Sequence, residues 1–338
     1  MTRRVGWGVI GCSDIVERRA GEAIAQQADS RLVAFHSRSR DRALAFARRF
    51  GATGEYDGAD DDLSRFLARD AIDVVYIATE VDRHADLAIA AAAAGKHVLV
   101  EKPMALDAAQ CQAMIAAASH HNVHLAVAYY VRFFEKSTIM KRVVDDGALG
   151  DVVRGNVRVV GHYHPDPTDP KAWRVSARGG GNLLADIGSH RLDLLTHFLG
   201  HPQRVTGFVD RFTMPYDAAD TETTLVQFGR GTHVTVQASA NVPAPLPFDS
   251  TIEIFGTRGC LITDPWSDAP VHVLGTDLPP LFARRPANAH APMIDDFARA
   301  IATGRPPRFT GTDGMWATAV VAGTYESART GRTITLDL

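Results

Sequence analysis

Hydrophobic and polar residues follow two different rhythms along this chain, and the change falls near residue 125. Before it, short and continuously apolar runs alternate with alanine-rich stretches of helical periodicity. Such alternation indicates a parallel sheet covered by helices on both faces. The predicted strands are Val5–Gly11, Leu32–His36, Val74–Ala78, His97–Val100 and His124–Ala128, and the predicted helices are Ile15–Ala28, Arg40–Phe50, Arg83–Ala94 and Ala108–His120. Gly51 and Gly95 follow two of these helices, where a left-handed residue ends a helix.

After residue 125 the strands become longer and alternate apolar with polar positions, which is typical of an open antiparallel sheet. Short glycine turns at 229–231 and 256–258 predict hairpins. If helices cover one face only, the other face should be apolar and exposed, so the strands between 204 and 263 are expected to pack against a partner chain. The predicted strands are Asp151–Gly161, Arg204–Phe212, Thr223–Phe228, Thr232–Ala240, Thr251–Phe255 and Gly259–Thr263, and the predicted helices are Glu135–Asp146, Met293–Ala302 and Gly314–Arg329.

Length and composition fit an α/β protein of two domains, residues 1–125 and 126–338. The formal net charge of −3 offers no basic surface for nucleic acid. The first apolar run is too short and too interrupted by glycine for a signal peptide or a membrane span. Three cysteines without CxxC spacing favour a reducing, cytoplasmic setting.

A tight turn joins the first strand to the first helix, where a dinucleotide-binding fold places the pyrophosphate. The usual G-x-G-x-x-G becomes Gly11-x-Ser13-x-x-Val16, so only the first glycine remains. A plain strand–turn–helix is the alternative, but the position within a βαβ series favours an N-terminal Rossmann domain. The expected cofactor contacts are Gly11, Cys12, Ser13, Asp14 and Ile15.

The end of the second strand bears on the choice of cofactor. An NAD enzyme places Asp or Glu there for the ribose 2′-hydroxyl, but this chain has Ser37 and Arg38, and its first acid is Asp41. Hydroxyls and arginine suit a 2′-phosphate. The sequence therefore favours NADP, with NAD possible. Ser39 could instead serve only as a helix N-cap, and both roles can coexist.

Several segments of the chain are informative together: Ala78-Thr79, His84, Ala94 to Val98, Glu101-Lys102-Pro103, Trp173-Arg174, Gly179 to Asp193, and Tyr325 to Arg332. With these segments the chain resembles the Gfo/Idh/MocA oxidoreductases. The departures are Ser13 and Val16 in the glycine turn, and Glu80-Val81 where many members have Pro-Asn. The resemblance implies a Rossmann domain followed by an α+β domain with a large open, mostly antiparallel sheet, and hydride transfer on sugars or polyols.

Hydride transfer from an alcohol needs a group that accepts the hydroxyl proton. Lys102 follows a strand end, and Asp186 and His190 are spaced to share one face of a helix. The family's catalytic residues map onto Lys102, Asp186 and His190. Asp193, on the same face, is a supporting candidate.

Further contacts are expected around this set. Thr79, His84, Glu101 and Lys102 are expected to contact the cofactor. The expected substrate-binding residues are Lys102, Tyr130, Arg132, Tyr163, Trp173, Arg174, Asp186 and His190. Asp186 and His190 could also ligate a metal with His162 and His164, but no third ligand is placed convincingly, and no metal is predicted.

The sequence thus predicts an NADP-dependent oxidoreductase of a sugar, cyclitol or sugar derivative. The alternatives are a non-catalytic dinucleotide-binding regulator and an NAD-recycling glycosidase. The expected partners are a small polyol or sugar and a second copy of the chain, in a homodimer or homotetramer formed through the C-terminal sheet. Nucleic acid and membranes are not expected partners.

Overall fold

The computed structural model describes residues 4–54, 59–166, 168, 175–176, 181–213, 216–243 and 246–338. Trp173 and Arg174 lie outside the described residues. The chain divides into two compact units. The first comprises residues 1–105, 109–130 and 286–314, and the second comprises 106–108, 131–285 and 315–338. The predicted domains, 1–125 and 126–338, differ from this division chiefly because residues 286–314 return to the first unit.

The helices and strands largely follow the predicted periodicity. The strands are β1 (Val5–Ile10), β2 (Ser30–His36), β3 (Ala59–Asp60), β4 (Val74–Ile77), β5 (His97–Val100), β6 (Leu125–Val127), β7 (Val152–Val160), β8 (Pro202–Asp210), β9 (Thr221–Phe228), β10 (His233–Ser239), β11 (Ile252–Gly256), β12 (Cys260–Thr263), β13 (His272–Leu274) and β14 (Ile334–Thr335). The helices are α1 (Gly21–Gln26), α2 (Arg40–Phe50), α3 (Leu63–Leu67), α4 (His84–Ala93), α5 (Ala108–His120), α6 (Glu135–Asp145), α7 (Ser189–Leu199), α8 (Ala291–Thr303) and α9 (Gly311–Thr330). Single π-helical turns, Val16–Ala20 and Leu184–Gly188, precede α1 and α7.

The first unit is built on a parallel sheet, as predicted. Within the described residues its strand order is β3-β2-β1-β4-β5-β6, and every residue of β1 is buried. The strand order reverses between β1 and β4. In open parallel sheets ligands bind beyond the carboxyl ends of the strands at such a reversal.

Local signals define α2 well. Ser39 is its N-cap, and the Ser39 hydroxyl accepts a hydrogen bond from the Arg42 backbone N–H at 3.4 Å. Gly51 ends the helix in the left-handed conformation, with φ 67°, and Gly95 adopts φ 72° after α4. The predicted cap and both predicted glycine stops are confirmed.

The returning segment, residues 286–314, is tied to the first unit by apolar and polar contacts. Phe297 of α8 packs against the buried ring of Trp7 on β1, with 6.1 Å between ring centroids. The Asn288 side-chain amide donates to the Arg19 carbonyl at 2.9 Å. The segment therefore completes the core of a unit whose other residues lie far earlier in the chain.

The second unit is built on a mixed, mostly antiparallel sheet. Its order in the described part of the chain is β13-β12-β11-β7-β10-β9-β8-β14, and β7 and β10 are the parallel pair. The predicted hairpins are confirmed, because β9 pairs antiparallel with β10 and β11 with β12. The two peripheral strands β13 and β14 were not predicted.

The outer face of this sheet is mostly polar, so the predicted apolar face is wrong. Strand β9 buries alternate residues from Glu222 to Phe228 and turns the others, mainly threonine and glutamine, outward. Phe208 and Leu225 are large apolar exceptions, 72% and 47% exposed. The alternation supplies one apolar face only, and that face is the covered one.

Candidate active site

The turn after β1 needs a glycine at its first position. Gly11 has φ 99°, and its backbone N–H donates to the His36 carbonyl at 3.0 Å. A Cβ at this position would lie 2.5 Å from the Ala78 carbonyl oxygen at the end of β4. The carboxyl ends of β1 and β4 therefore approach so closely that only a bare backbone fits between them.

The next residues leave a polar atom without a protein partner. The Ser13 hydroxyl is buried and makes no hydrogen bond within the described residues. Burial raises the pKa of the Cys12 thiol to about 12, although Arg42 opposes the shift, and the Arg42 Nε donates to the Cys12 carbonyl at 2.9 Å. Asp14 pairs with Arg18, and Ile15 immediately precedes the π-helical turn. A turn that begins with glycine and a buried hydroxyl without a protein partner are both suited to binding a phosphate group.

An acidic residue does lie beside the end of β2, but its side chain is already engaged. Asp60 of β3 pairs in register with His36. Its fully buried carboxylate accepts hydrogen bonds from Arg65 and, at 2.7 Å, from Arg69. Ser37 donates its backbone N–H to the Asp60 carbonyl, and Arg38 is exposed. The sequence prediction overlooked Asp60 because it lies far from β2 along the chain.

Glu101 is the centre of a buried hydrogen-bond network at the end of β5. Its Oε1 accepts from the Tyr76 hydroxyl and lies 3.2 Å from His290 Nε2, and its Oε2 accepts from the Lys102 backbone N–H at 3.1 Å. Burial acts to raise the pKa of Glu101, but the hydrogen bonds from His290 and Tyr76 outweigh it and hold the pKa below its ordinary value. The carboxylate thus fixes the backbone at Lys102.

His84 connects the two loops that follow β4 and β5. Its Nδ1 lies 3.0 Å from the Pro103 carbonyl and its Nε2 lies 3.2 Å from the Thr79 carbonyl. Burial lowers the pKa of His84, while the hydrogen bonds to the Pro103 and Thr79 carbonyls act to raise it. The peptide bond from Lys102 to Pro103 is cis. Both nitrogens of this predicted cofactor contact therefore face loop carbonyls.

His290 is a site residue that the sequence did not indicate. It is fully buried, and besides approaching Glu101 it packs against Tyr130, with ring centroids 4.3 Å apart and ring planes inclined by 30°. The Tyr130 hydroxyl accepts from Arg19 at 2.9 Å. Residues 269–292 carry no periodic pattern, so no local signal places His290 beside the Glu101-Lys102 segment.

In the second unit, Asp186 and His190 lie on one helical segment. Asp186 is in the π-helical turn and is 9% exposed, and His190 is in the first turn of α7 and is 3% exposed. The His190 ring meets Trp266 edge-on at 5.8 Å. The predicted pair is therefore brought onto one element, although its first turn is π-helical.

The supporting residues of this unit are also placed. Arg132 Nε donates to Asp193 Oδ2 at 2.6 Å, and both side chains are buried. Tyr163 is half-buried, and its backbone N–H donates to the Ala240 carbonyl at 3.2 Å. Arg132, predicted to contact substrate, thus forms an ion pair with the predicted supporting residue.

Neither a metal cluster nor a membrane span emerges from the described residues. They contain no group of three His, Cys, Asp or Glu residues that could hold a metal ion. The rings of His162 and His164 stack parallel at 4.8 Å. No helix in the same residues is both long and apolar enough to cross a membrane.

Comparison with known proteins identifies the family. Residues 5–129 match the family model described as oxidoreductase family, NAD-binding Rossmann fold, and residues 138–262 match the GFO/IDH/MocA C-terminal domain. The chain belongs to the Gfo/Idh/MocA family of oxidoreductases. The resemblance seen in the sequence is therefore confirmed, as is the pairing of a Rossmann domain with an α+β domain.

Relatives within the Gfo/Idh/MocA family extend over most of the chain. Inositol 2-dehydrogenase of Rhizobium meliloti is 28% identical over 98% of this chain and 99% of its own length. The match to oxidoreductase P35 of Formosa agariphila, 29% identical, covers 61% of this chain and 64% of that protein.

Solved structures share the same architecture. An aldose-aldose oxidoreductase of Caulobacter crescentus complexed with glycerol has a TM-score of 0.84, is 27% identical, and matches 99% of this chain and all of its own. A Bordetella pertussis dehydrogenase in complex with NADH and UDP-GlcNAcA has a TM-score of 0.86 at 22% identity, over 99% of each chain. As a Gfo/Idh/MocA protein, the chain is a nicotinamide-dependent oxidoreductase.

Proposed function

We propose that this Gfo/Idh/MocA protein transfers a hydride between NADP and a hydroxyl or carbonyl carbon of a sugar, cyclitol or sugar derivative. One observation carries the proposal. The ends of the adjacent parallel strands β1, β4 and β5 bring the Gly11 turn, Thr79 and the fixed Lys102 to the same edge of the sheet. The relatives named for inositol and aldose support this substrate class.

The bound nicotinamide supplies the site that accepts or returns the hydride. Oxidation of an alcohol removes a hydride from carbon and a proton from oxygen, so the protein must accept that proton. We assign acceptance of the proton to His190, while the Lys102 ammonium would hydrogen-bond the substrate oxygen and so make its hydroxyl group more acidic. Asp186 would orient His190 or bind a substrate hydroxyl.

The preference for NADP rests on the end of β2. The Asp60 carboxylate is engaged by Arg65 and Arg69, while Ser37 and the exposed Arg38 follow β2 directly. A guanidinium suits a 2′-phosphate and offers nothing comparable to a 2′-hydroxyl. The Bordetella pertussis dehydrogenase holds NADH, so the preference must be measured on this chain.

Paired titrations test the cofactor proposal. The parent should bind NADPH more tightly than NADH, and Arg38→Ala should remove most of the difference, about tenfold to a hundredfold for a charge-assisted contact. Arg48→Ala is the matched control, because Arg48 is exposed at the other end of α2. Equal or tighter binding of NADH by the parent would refute the preference for NADP.

A panel of sugars and polyols, followed by nicotinamide absorbance, tests the reaction. On a substrate used by the parent, Lys102→Ala and His190→Ala should each lower turnover by about a hundredfold to ten-thousandfold, with cofactor affinity within a few-fold. The double variant should be hardly worse than the poorer single variant. Lys141→Ala, at a half-buried lysine paired with Asp145, is the control. Cofactor binding without turnover on any substrate would indicate a regulator.

Assembly and location complete the proposal. We propose a homodimer or homotetramer in which Phe208 and Leu225 lie in the contact, since both are large, exposed apolar residues on adjacent strands of the outer face. Light scattering on the double variant Phe208→Ser/Leu225→Ser should show dissociation; a monomeric parent would refute the assembly.

A cytoplasmic location fits Cys12, Cys111 and Cys260, because none of them forms a disulfide in the structure.

A further inference from the structure

The helical segment that carries Asp186 and His190 begins in the interior of the second unit. The first N–H groups of a helix have no acceptor within the helix and need one elsewhere. The Ala185 N–H donates to the Asn182 side chain at 2.6 Å, and the Asp186 N–H donates to the Asn182 carbonyl at 2.9 Å. The Leu184 backbone N–H faces the carboxyl group of Glu222, and this contact acts to lower the pKa of Glu222. A strand residue thus approaches the start of this helix from outside it.

Glu222 lies on the covered face of β9 and is 1% exposed. The Tyr325 hydroxyl of α9 donates to Glu222 Oε1 at 3.1 Å, and the Asn182 side chain lies close enough to act on the pKa of the same hydroxyl. Asn182, Tyr325 and Glu222 therefore form a closed cluster around the start of the helix. Glu222 Oε2 has no hydrogen-bond partner within the described residues.

The protonation state of the cluster follows from its surroundings. Burial raises the pKa of Glu222 to about 8, against the hydrogen bonds from Tyr325 and Leu184, and the nearby Asp220 raises it further. Burial and Glu222 also raise the pKa of Tyr325, so its hydroxyl stays protonated. The Asp220 carboxylate accepts from the backbone N–H groups of Phe212 and Thr213. Near pH 7 Glu222 is therefore mostly neutral.

We propose that Glu222 is a positioning residue for the reaction proposed above: with Asn182 and Tyr325 it fixes the first turn of the helix that carries Asp186 and His190, and loss of its proton sets the alkaline limit of turnover. An ionised Glu222 would be a buried charge with one oxygen unsatisfied by the described residues. Because a buried charge is poorly solvated, ionisation of Glu222 favours opening of the cluster. Opening would release the turn that holds Asp186.

The variants Glu222→Gln and Glu222→Ala distinguish the effect of ionising Glu222 from the effect of losing its side chain. Glutamine keeps the size and stays neutral, so turnover at pH 7 should remain within about twofold of the parent. The parent should lose about tenfold of its turnover between pH 7 and pH 9, as the protonated fraction falls, and Glu222→Gln should not. Glu222→Ala removes the carboxyl group that Tyr325 donates to and that Leu184 faces, so kcat should fall at every pH while the KM for cofactor changes little. Glu253→Gln, at a half-buried glutamate of β11, should follow the parent.

Hydrogen exchange supplies a measurement that does not depend on turnover. After correction for intrinsic rates, amides 184–190 should exchange faster at pH 9 than at pH 7 in the parent, but equally at both in Glu222→Gln. An alkaline loss of turnover and protection that persists in Glu222→Gln would overturn the positioning role. Absence of turnover by the parent on every substrate would instead refute the proposed function, and the exchange result would still decide whether Glu222 fixes the turn.

Discussion

Replacing Glu101 by glutamine should lower the free energy of unfolding by about 2–4 kcal/mol. The parent carboxylate accepts from Tyr76, His290 and the Lys102 backbone N–H, and it is only 6% exposed. Whichever oxygen the amide NH₂ replaces, it faces a group that was donating. At least one charge-assisted hydrogen bond, worth about 1.5–3 kcal/mol, is then lost, and a buried donor is left unsatisfied.

The pH dependence gives this prediction a second test. Because the folded pKa of Glu101 lies below its ordinary value, its ionised form stabilises the protein above the unfolded pKa. That contribution disappears as pH falls through the folded pKa. The deficit of Glu101→Gln should therefore be full at pH 7 and should shrink below about pH 4.

Urea denaturation followed by circular dichroism, at several pH values, measures the effect. Glu17→Gln is the matched control, since Glu17 forms an exposed ion pair with Arg49 and such pairs contribute about 0–1 kcal/mol. Equal losses in the two variants at pH 7 would refute the reasoning. So would a Glu101→Gln deficit that stays constant down to pH 3.

Three further changes follow from the same geometry. Gly11→Ala should cost about 1–3 kcal/mol in thermal unfolding and weaken dinucleotide binding, because its φ is 99° and its Cβ would meet Ala78. Arg132→Met should cost about 3–5 kcal/mol by removing the guanidinium from the buried Asp193 carboxylate. Since the folded pKa of Glu222 is raised, the free energy of unfolding should fall by up to about 4 kcal/mol as pH rises from 4.5 to 8, and Glu222→Gln should abolish that slope.

Elements with local signals could be predicted from sequence. Helix α2 was predicted at Arg40–Phe50 because a serine cap and a glycine stop bracket it, and β5 was predicted at His97–Val100 because its apolar run is continuous. The two-residue strand β3 was missed, since it exists only through pairing with β2. The prediction of an apolar outer face is wrong because a sheet covered on one face needs apolar side chains on that face only.

The residues of the candidate site likewise divide into those with a local sequence signal and those without one. Motif spacing indicated Lys102, Asp186 and His190, because residues close together in sequence carry those patterns. It could not indicate His290 or Glu222, whose roles arise from partners more than thirty-five residues away along the chain. Which distant side chain reaches a buried carboxylate is decided by tertiary packing.

Synthesis on the ribosome proceeds from the N-terminus, so the first unit remains incomplete until its last piece has emerged. Residues 286–314 supply Phe297 against Trp7 and His290 against Glu101. A nascent chain that stops near residue 130 therefore exposes apolar surface and holds a carboxylate that lacks one of its donors. A stand-alone dinucleotide-binding fragment should be built from residues 4–130 joined by a flexible linker to residues 286–314, because a simple C-terminal truncation discards part of its own core.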